Sequence, residues 1–171
     1  MILDFSTITD EHERKVAVFL DKLGFSFLAS RSQFNKSEAE VAREIDLLFT
    51  YQKCSFIIEV STVKQGRNFK IITFLYRWSK RKNLERIKKK HPTIPNHLMR
   101  IFFDLSKDTP ENKSQDVEEF CEDLGNMVIY REVYEKLNSN ENIEQTITNF
   151  LGSDWFAKTD KFGSWLRLSW Q

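Results

Sequence analysis

The sequence predicts an α/β protein in which a mixed sheet is covered by helices on both faces. Three features point there. Near the start, Val16, Phe19, Leu20 and Leu23 recur at helical spacing until Gly24 ends the pattern. In the middle, "REIDLLFTYQKCSFIIEVS" carries two apolar runs of strand length around a short polar break, the pattern of a hairpin. After it, helical and extended patterns alternate as far as Leu151. A chain of 171 residues that is 40% hydrophobic, with 15 Phe, is long enough for one domain with a substantial core.

The first helix runs from about Asp10 to Leu23, opened by Asp10 as N-cap with Glu13 three residues on. "FSFLAS", Phe25 to Ser30, reads as a strand and is followed by a polar loop through Ala39. The hairpin strands span about Arg43 to Thr50 and Cys54 to Ser61. A helical region follows from about Arg67 to Lys90, with a break expected near Lys82 or Asn83. Leu98 to Leu105 is extended, Gln115 to Leu124 helical and Met127 to Arg131 extended, and one or two short helices reach Leu151. Residues 1–152 form one domain, and residues 153–171 an aromatic-rich tail packed on that domain or at an interface.

Net charge is +1, so any electrostatic argument depends on where the charges lie. From Lys64 to Lys90 there are eleven Lys or Arg and one acid, Glu85, whereas Lys107 to Gln171 holds thirteen acidic and seven basic residues. Cys54 and Cys121 make neither a disulfide framework nor a zinc site, and Cys54 is expected to be a small buried hydrophobe. His12, His91 and His97 do not combine into a metal site. Nothing at the start reads as a signal peptide, and no apolar run is long enough for a membrane span. The expectation is a cytoplasmic protein with no membrane partner.

Carboxylates interrupt the hairpin. Alternation puts Glu44, Asp46 and Leu48 on one side and Ile45, Leu47 and Phe49 on the other. In the next strand Ser55, Ile57, Glu59 and Ser61 share a face, opposite Phe56, Ile58 and Val60. A tight turn at Tyr51 to Lys53 makes Asp46 and Glu59 direct or diagonal neighbours. Like charges so placed repel unless a cation lies between them, and hard oxygen donors suit Mg²⁺ or Mn²⁺, which bind phosphate oxygens and activate water. Glu13 extends the apolar stripe of the first helix and is the third candidate ligand. Each acid also has a plainer role: Glu13 as an N3 capping residue, Asp46 and Glu59 as solvated groups paired with Arg43 and Lys53.

Taken together, a helix carrying Glu13 and ending in "LDKLGF", a strand, "EIDLLF" with Asp46 and "FIIEVS" with Glu59 resemble the PD-(D/E)XK, or restriction-endonuclease-like, nuclease superfamily. The resemblance spans roughly Asp10 to Phe103 and is closest in form to Holliday-junction-resolvase-like and Mrr-like members. It implies an αβββαβ core with a helical C-terminal extension. It also implies Glu13, Asp46 and Glu59 as metal-binding acids and Glu44 as an accessory residue. One departure stands out, because the family's lysine two residues after the second acid is here Ser61. Lys64, or Lys70 at the start of the following helix, are the candidates to replace it, although a straight strand carries Lys64 about 10 Å beyond Ser61. Gln65 and Gly66 suit a turn there, with Gln65 as polar lining.

Lys70, Arg77, Arg81 and Lys88 fall at spacings of 7, 4 and 7 on one side of a helix, a stripe fit for a phosphate backbone or simply a solvated face. In the tail, Trp155, Phe156, Phe162, Trp165 and Trp170 either pack on their own domain or form a homodimer or partner surface. The resulting expectation is a Mg²⁺- or Mn²⁺-dependent endonuclease acting on double-stranded or branched DNA in restriction, phage defence, recombination or repair. Its rival is a catalytically inactive nucleic-acid-binding or assembly subunit of the same fold.

Overall fold

Two residues bound the first helix, α1 (Glu11–Lys22), as their chemistry suits. The Asp10 side chain accepts the Glu13 N–H at 2.9 Å from an extended N-cap position. Beyond the helix, Gly24 takes φ +91°, a conformation that strains any residue bearing a Cβ, and the Phe25 N–H closes back on the Leu20 carbonyl. The computed structural model of the chain describes residues 5–30, 45–108, 110, 114–122, 125–153, 155 and 163–164.

After α1 come β1 (Ser26–Ser30), β2 (Leu47–Tyr51), β3 (Cys54–Ser61), α2 (Arg67–Arg77), α3 (Arg81–Lys90), β4 (His97–Asp104), α4 (Gln115–Cys121), β5 (Asn126–Tyr130), α5 (Arg131–Ser139), α6 (Ile143–Leu151) and the two-residue β6 (Gly163–Ser164). The sheet has the order β1-β2-β3-β4-β5. Its first three strands are antiparallel neighbours, and β3, β4 and β5 run parallel, which makes the sheet mixed. β6 pairs antiparallel with His97 and Leu98 at the start of β4.

Helices cover both faces, as the alternating pattern requires. On one side α1, α5 and α6 pack Phe19, Leu20, Tyr134 and Phe150 against Phe49, Phe56, Ile58 and Phe103. On the other, α2, α3 and α4 pack Phe74, Trp78, Ile87 and Val117 against Leu48, Ile57, Leu98 and Phe102. β3 therefore alternates as its sequence indicates. Trp155 is buried beside the first of these cores and stacks on Tyr51 at 5.4 Å between ring centroids. Phe156, Phe162, Trp165 and Trp170 lie outside the described residues, as does Glu44. Among the described residues no helix is long and apolar enough to cross a membrane.

Two expectations need correction. Ile45 does not share a side with Leu47 and Phe49; it packs with Leu48 and Ile57, because the chain bends at Asp46 and β2 starts only at Leu47. The basic region does part into two helices, but at Trp78 to Lys80 instead of Lys82 or Asn83. Trp78 is fully buried at the corner. Arg100 Nε donates to its carbonyl at 2.7 Å and Asn83 Nδ2 to the Arg77 carbonyl at 2.8 Å, so the last carbonyls of α2 are satisfied without further helix. Lys80 is extended and opens α3 in a new direction. Lys70, Arg77, Arg81 and Lys88 consequently do not form one stripe.

Candidate metal and phosphate site

The Gln52–Lys53 turn sets the hairpin register, pairing Tyr51 with Cys54 and Leu47 with Ile58. The ladder ends at that pair, and Asp46 meets β3 through its side chain. Asp46 is 5% exposed, and its Oδ2 accepts the Val60 N–H at 2.9 Å, a charge-assisted bond that makes a buried carboxylate tolerable at the sheet end. Glu59 is half-buried on the side of the sheet that carries Ile57 and Phe102. From the first turn of α1, Glu13 reaches the same place and is also 5% exposed.

These three acids, from three separate segments, line one cavity of about 400 Å³. The same cavity is lined by α2, where Lys70, Thr73 and Arg77, spaced three and four residues apart, share a face. Ile71, Leu75 and Trp78 on the inner side of α2 fix that face by their burial. Carboxylates, an ammonium and a guanidinium thus line one cavity. That is a donor set for a hard cation and, beside it, for a phosphate.

The carboxylates suit Mg²⁺ in kind. Among the described residues no three His, Cys, Asp or Glu side chains close into a ready-made cage. Mg²⁺ does not need one, since it ordinarily keeps several waters, through which carboxylates of one cavity can hold it.

The other expected site residues divide. Ser61 lines the cavity, but its Oγ accepts the Val63 N–H at 3.3 Å and brings no charge. Lys64 lines a neighbouring groove and pairs with Asp108 at 2.7 Å, and the Lys64 ammonium holds the Asp108 carboxyl below its ordinary value. Gln65 is exposed and does not line the cavity. On α3, Arg81 pairs with Glu85 at 2.7 Å, and Lys88 donates to the Ile94 carbonyl and to Asn96 Oδ1. The structure therefore gathers Glu13, Asp46, Glu59, Ser61, Lys70 and Arg77, and leaves Lys64, Gln65, Arg81 and Lys88 elsewhere.

Sequence reasoning passed over a buried polar cluster at the end of β4. Asp104 is 2% exposed and lies beside Ser61 in the parallel register. Arg67 Nε approaches its Oδ2 at 3.4 Å, while its Oδ1 accepts the Ser106 N–H and the Ser106 hydroxyl. Arg67 Nη2 also donates to Ser106 Oγ at 2.6 Å. The pair ties the first residue of α2 to the sheet, one turn before Lys70. Its signal in the sequence was the acid closing the apolar run "RIFFD", the same signal that marked Glu59. No family model, no curated protein and no solved structure matches the chain.

Proposed function

We propose that the cavity is the active site of a metal-dependent DNA endonuclease of the PD-(D/E)XK type, with Glu13, Asp46 and Glu59 holding Mg²⁺ or Mn²⁺. One observation carries the reading. Three acids, from α1, from the residue just before β2 and from the end of β3, line one cavity together with Lys70 and Arg77. Bound there, the metal supplies Lewis-acid charge and an activated water for phosphodiester hydrolysis. Lys70 takes the part of the lysine missing at Ser61 and offers its ammonium to a phosphate oxygen where negative charge builds. Arg77, two turns further along the same face, grips a neighbouring phosphate through its planar fork. Phe74 and Phe102 add apolar lining that lowers the local dielectric and strengthens these contacts.

The uncharged Ser61 favours a second reading, in which the fold binds nucleic acid without cutting it. Purified protein incubated with plasmid, linear and branched DNA and Mg²⁺ or Mn²⁺ separates the two. Cleavage by wild type that disappears in Glu59→Ala and Lys70→Ala and persists in Lys64→Ala supports the nuclease. DNA binding with no cleavage under either metal supports the second reading.

A further inference from the structure

The outer face of α2 carries two large aromatic rings that are mostly exposed. Phe69 is 75% exposed and Tyr76 54% exposed. Seven residues apart, they lie on one side of the helix at about 10 Å separation. Cations run beside them: Lys70 and Arg77 line the carboxylate cavity, and Lys80 Nζ stands 4.6 Å from the centre of the Tyr76 ring. Phe69 lines both that cavity and the neighbouring groove of Lys64 and Arg67, so it stands at the passage between them.

Aromatic rings interleaved with cations form the surface that binds single-stranded nucleic acid, because every unpaired base has a face free to stack. In a continuous duplex both faces of each base are covered by its neighbours, and a ring on the protein surface finds nothing to stack on. An apolar protein partner would satisfy the rings and leave Lys70 and Arg77 desolvated, a costly arrangement. Resting on the nuclease reading above, we infer that α2 is a platform for an unpaired DNA strand leading into the cavity. Phe69 and Tyr76 stack on its bases, and Lys70, Arg77 and Lys80 hold its phosphates. The preferred substrate thus contains a single-stranded segment next to the scissile bond.

Fluorescence anisotropy in a chelator, with labelled oligothymidylate and a duplex of equal length, tests this apart from cleavage. Wild type binds the single strand more tightly than the duplex. Phe69→Ala weakens single-strand binding about 5- to 140-fold, the range for one lost base stack, and leaves duplex binding unchanged. Phe69→Trp keeps it. The substitutions fall on an exposed ring, so circular dichroism and the unfolding midpoint stay at wild-type values. Equal loss on both DNAs, no loss in Phe69→Ala, or a preference for oligouridylate over oligothymidylate overturns the platform. Single-strand binding lost in Phe69→Ala without metal-dependent cleavage by wild type leaves the platform standing and removes the nuclease. Cleavage indifferent to Phe69 and to unpaired DNA does the reverse.

Discussion

Breaking the Arg67–Asp104 pair should cost far more than breaking any of the exposed ion pairs. Arg67 Nε lies 3.4 Å from Asp104 Oδ2, and the two side chains are 10% and 1% exposed. At an effective dielectric of about 20, charges at that distance attract by about 5 kcal/mol before desolvation is subtracted. Arg67→Met removes the cation and leaves a buried carboxylate with only Ser106 as hydrogen-bond partner among the bonds described above. Single members of buried pairs cost about 3–5 kcal/mol on removal. For a chain of this size that lowers Tm by about 6–20 °C. Arg81→Ala, which breaks an exposed pair, should cost under about 1 kcal/mol. The double variant Arg67→Met, Asp104→Leu should recover most of the loss, because neither charge is then left buried. Urea unfolding of wild type, Arg81→Ala, the two single variants Arg67→Met and Asp104→Leu, and the double variant measures all of this. A loss below about 1 kcal/mol for Arg67→Met, or a double variant no more stable than the singles, refutes the reasoning.

Burial pushes the Cys54 thiol up to about 12, while Cys121 is partly exposed. Iodoacetamide at pH 8 should therefore label Cys121 in the native protein and Cys54 only after denaturation, as read by mass spectrometry. His91 is held below its ordinary value of 6.5, first by burial and then by the Lys90 charge. The folded state thus binds its proton less readily than the unfolded chain. Its stability is full above pH 6.5 and is lost as pH falls through that value towards the lowered one. Melting at pH 8 and pH 5 should show a smaller drop for His91→Gln than for wild type. Trp155→Ala, which empties the stacking site on Tyr51, should cost about 3–5 kcal/mol in the same unfolding assay if the tail end of the chain belongs to the main core.

Much of the architecture was readable because each signal was local. Asp10 and Gly24 punctuate α1 by capping chemistry, and the period-two alternation of β3 sorts Phe56 and Ile58 from Ile57 and Glu59 without any knowledge of neighbours. What was misread depended on distant contacts. The end of α2 is set by Arg100 and Asn83 taking its last carbonyls, and nothing in the run "LYRWSKRKN" announces the Arg100 bond. Periodicity alone therefore joined Arg81 and Lys88 to Lys70 and Arg77. Counting alternate residues through Asp46 misplaces Ile45, because alternation fails at a bend. At the site, spacing could select Glu13, Asp46 and Glu59 as a set. It could not decide between Lys64 and Lys70, because that depends on where the chain turns after Ser61. Gly66, at φ +70°, opens α2 immediately after that turn, so Lys70 faces the cavity and Lys64 pairs with Asp108.

The proposed nuclease requires Glu13, Asp46 and Glu59 to act as one cation site. Mn²⁺ titration of the purified protein, followed by the electron paramagnetic resonance of the free ion, measures this without any nucleic acid. Wild type and Lys64→Ala should bind Mn²⁺ saturably and alike, while Asp46→Asn and Glu59→Gln should lose that binding with their unfolding midpoints intact. Binding that survives in Asp46→Asn and Glu59→Gln, or no saturable binding by wild type, contradicts the account.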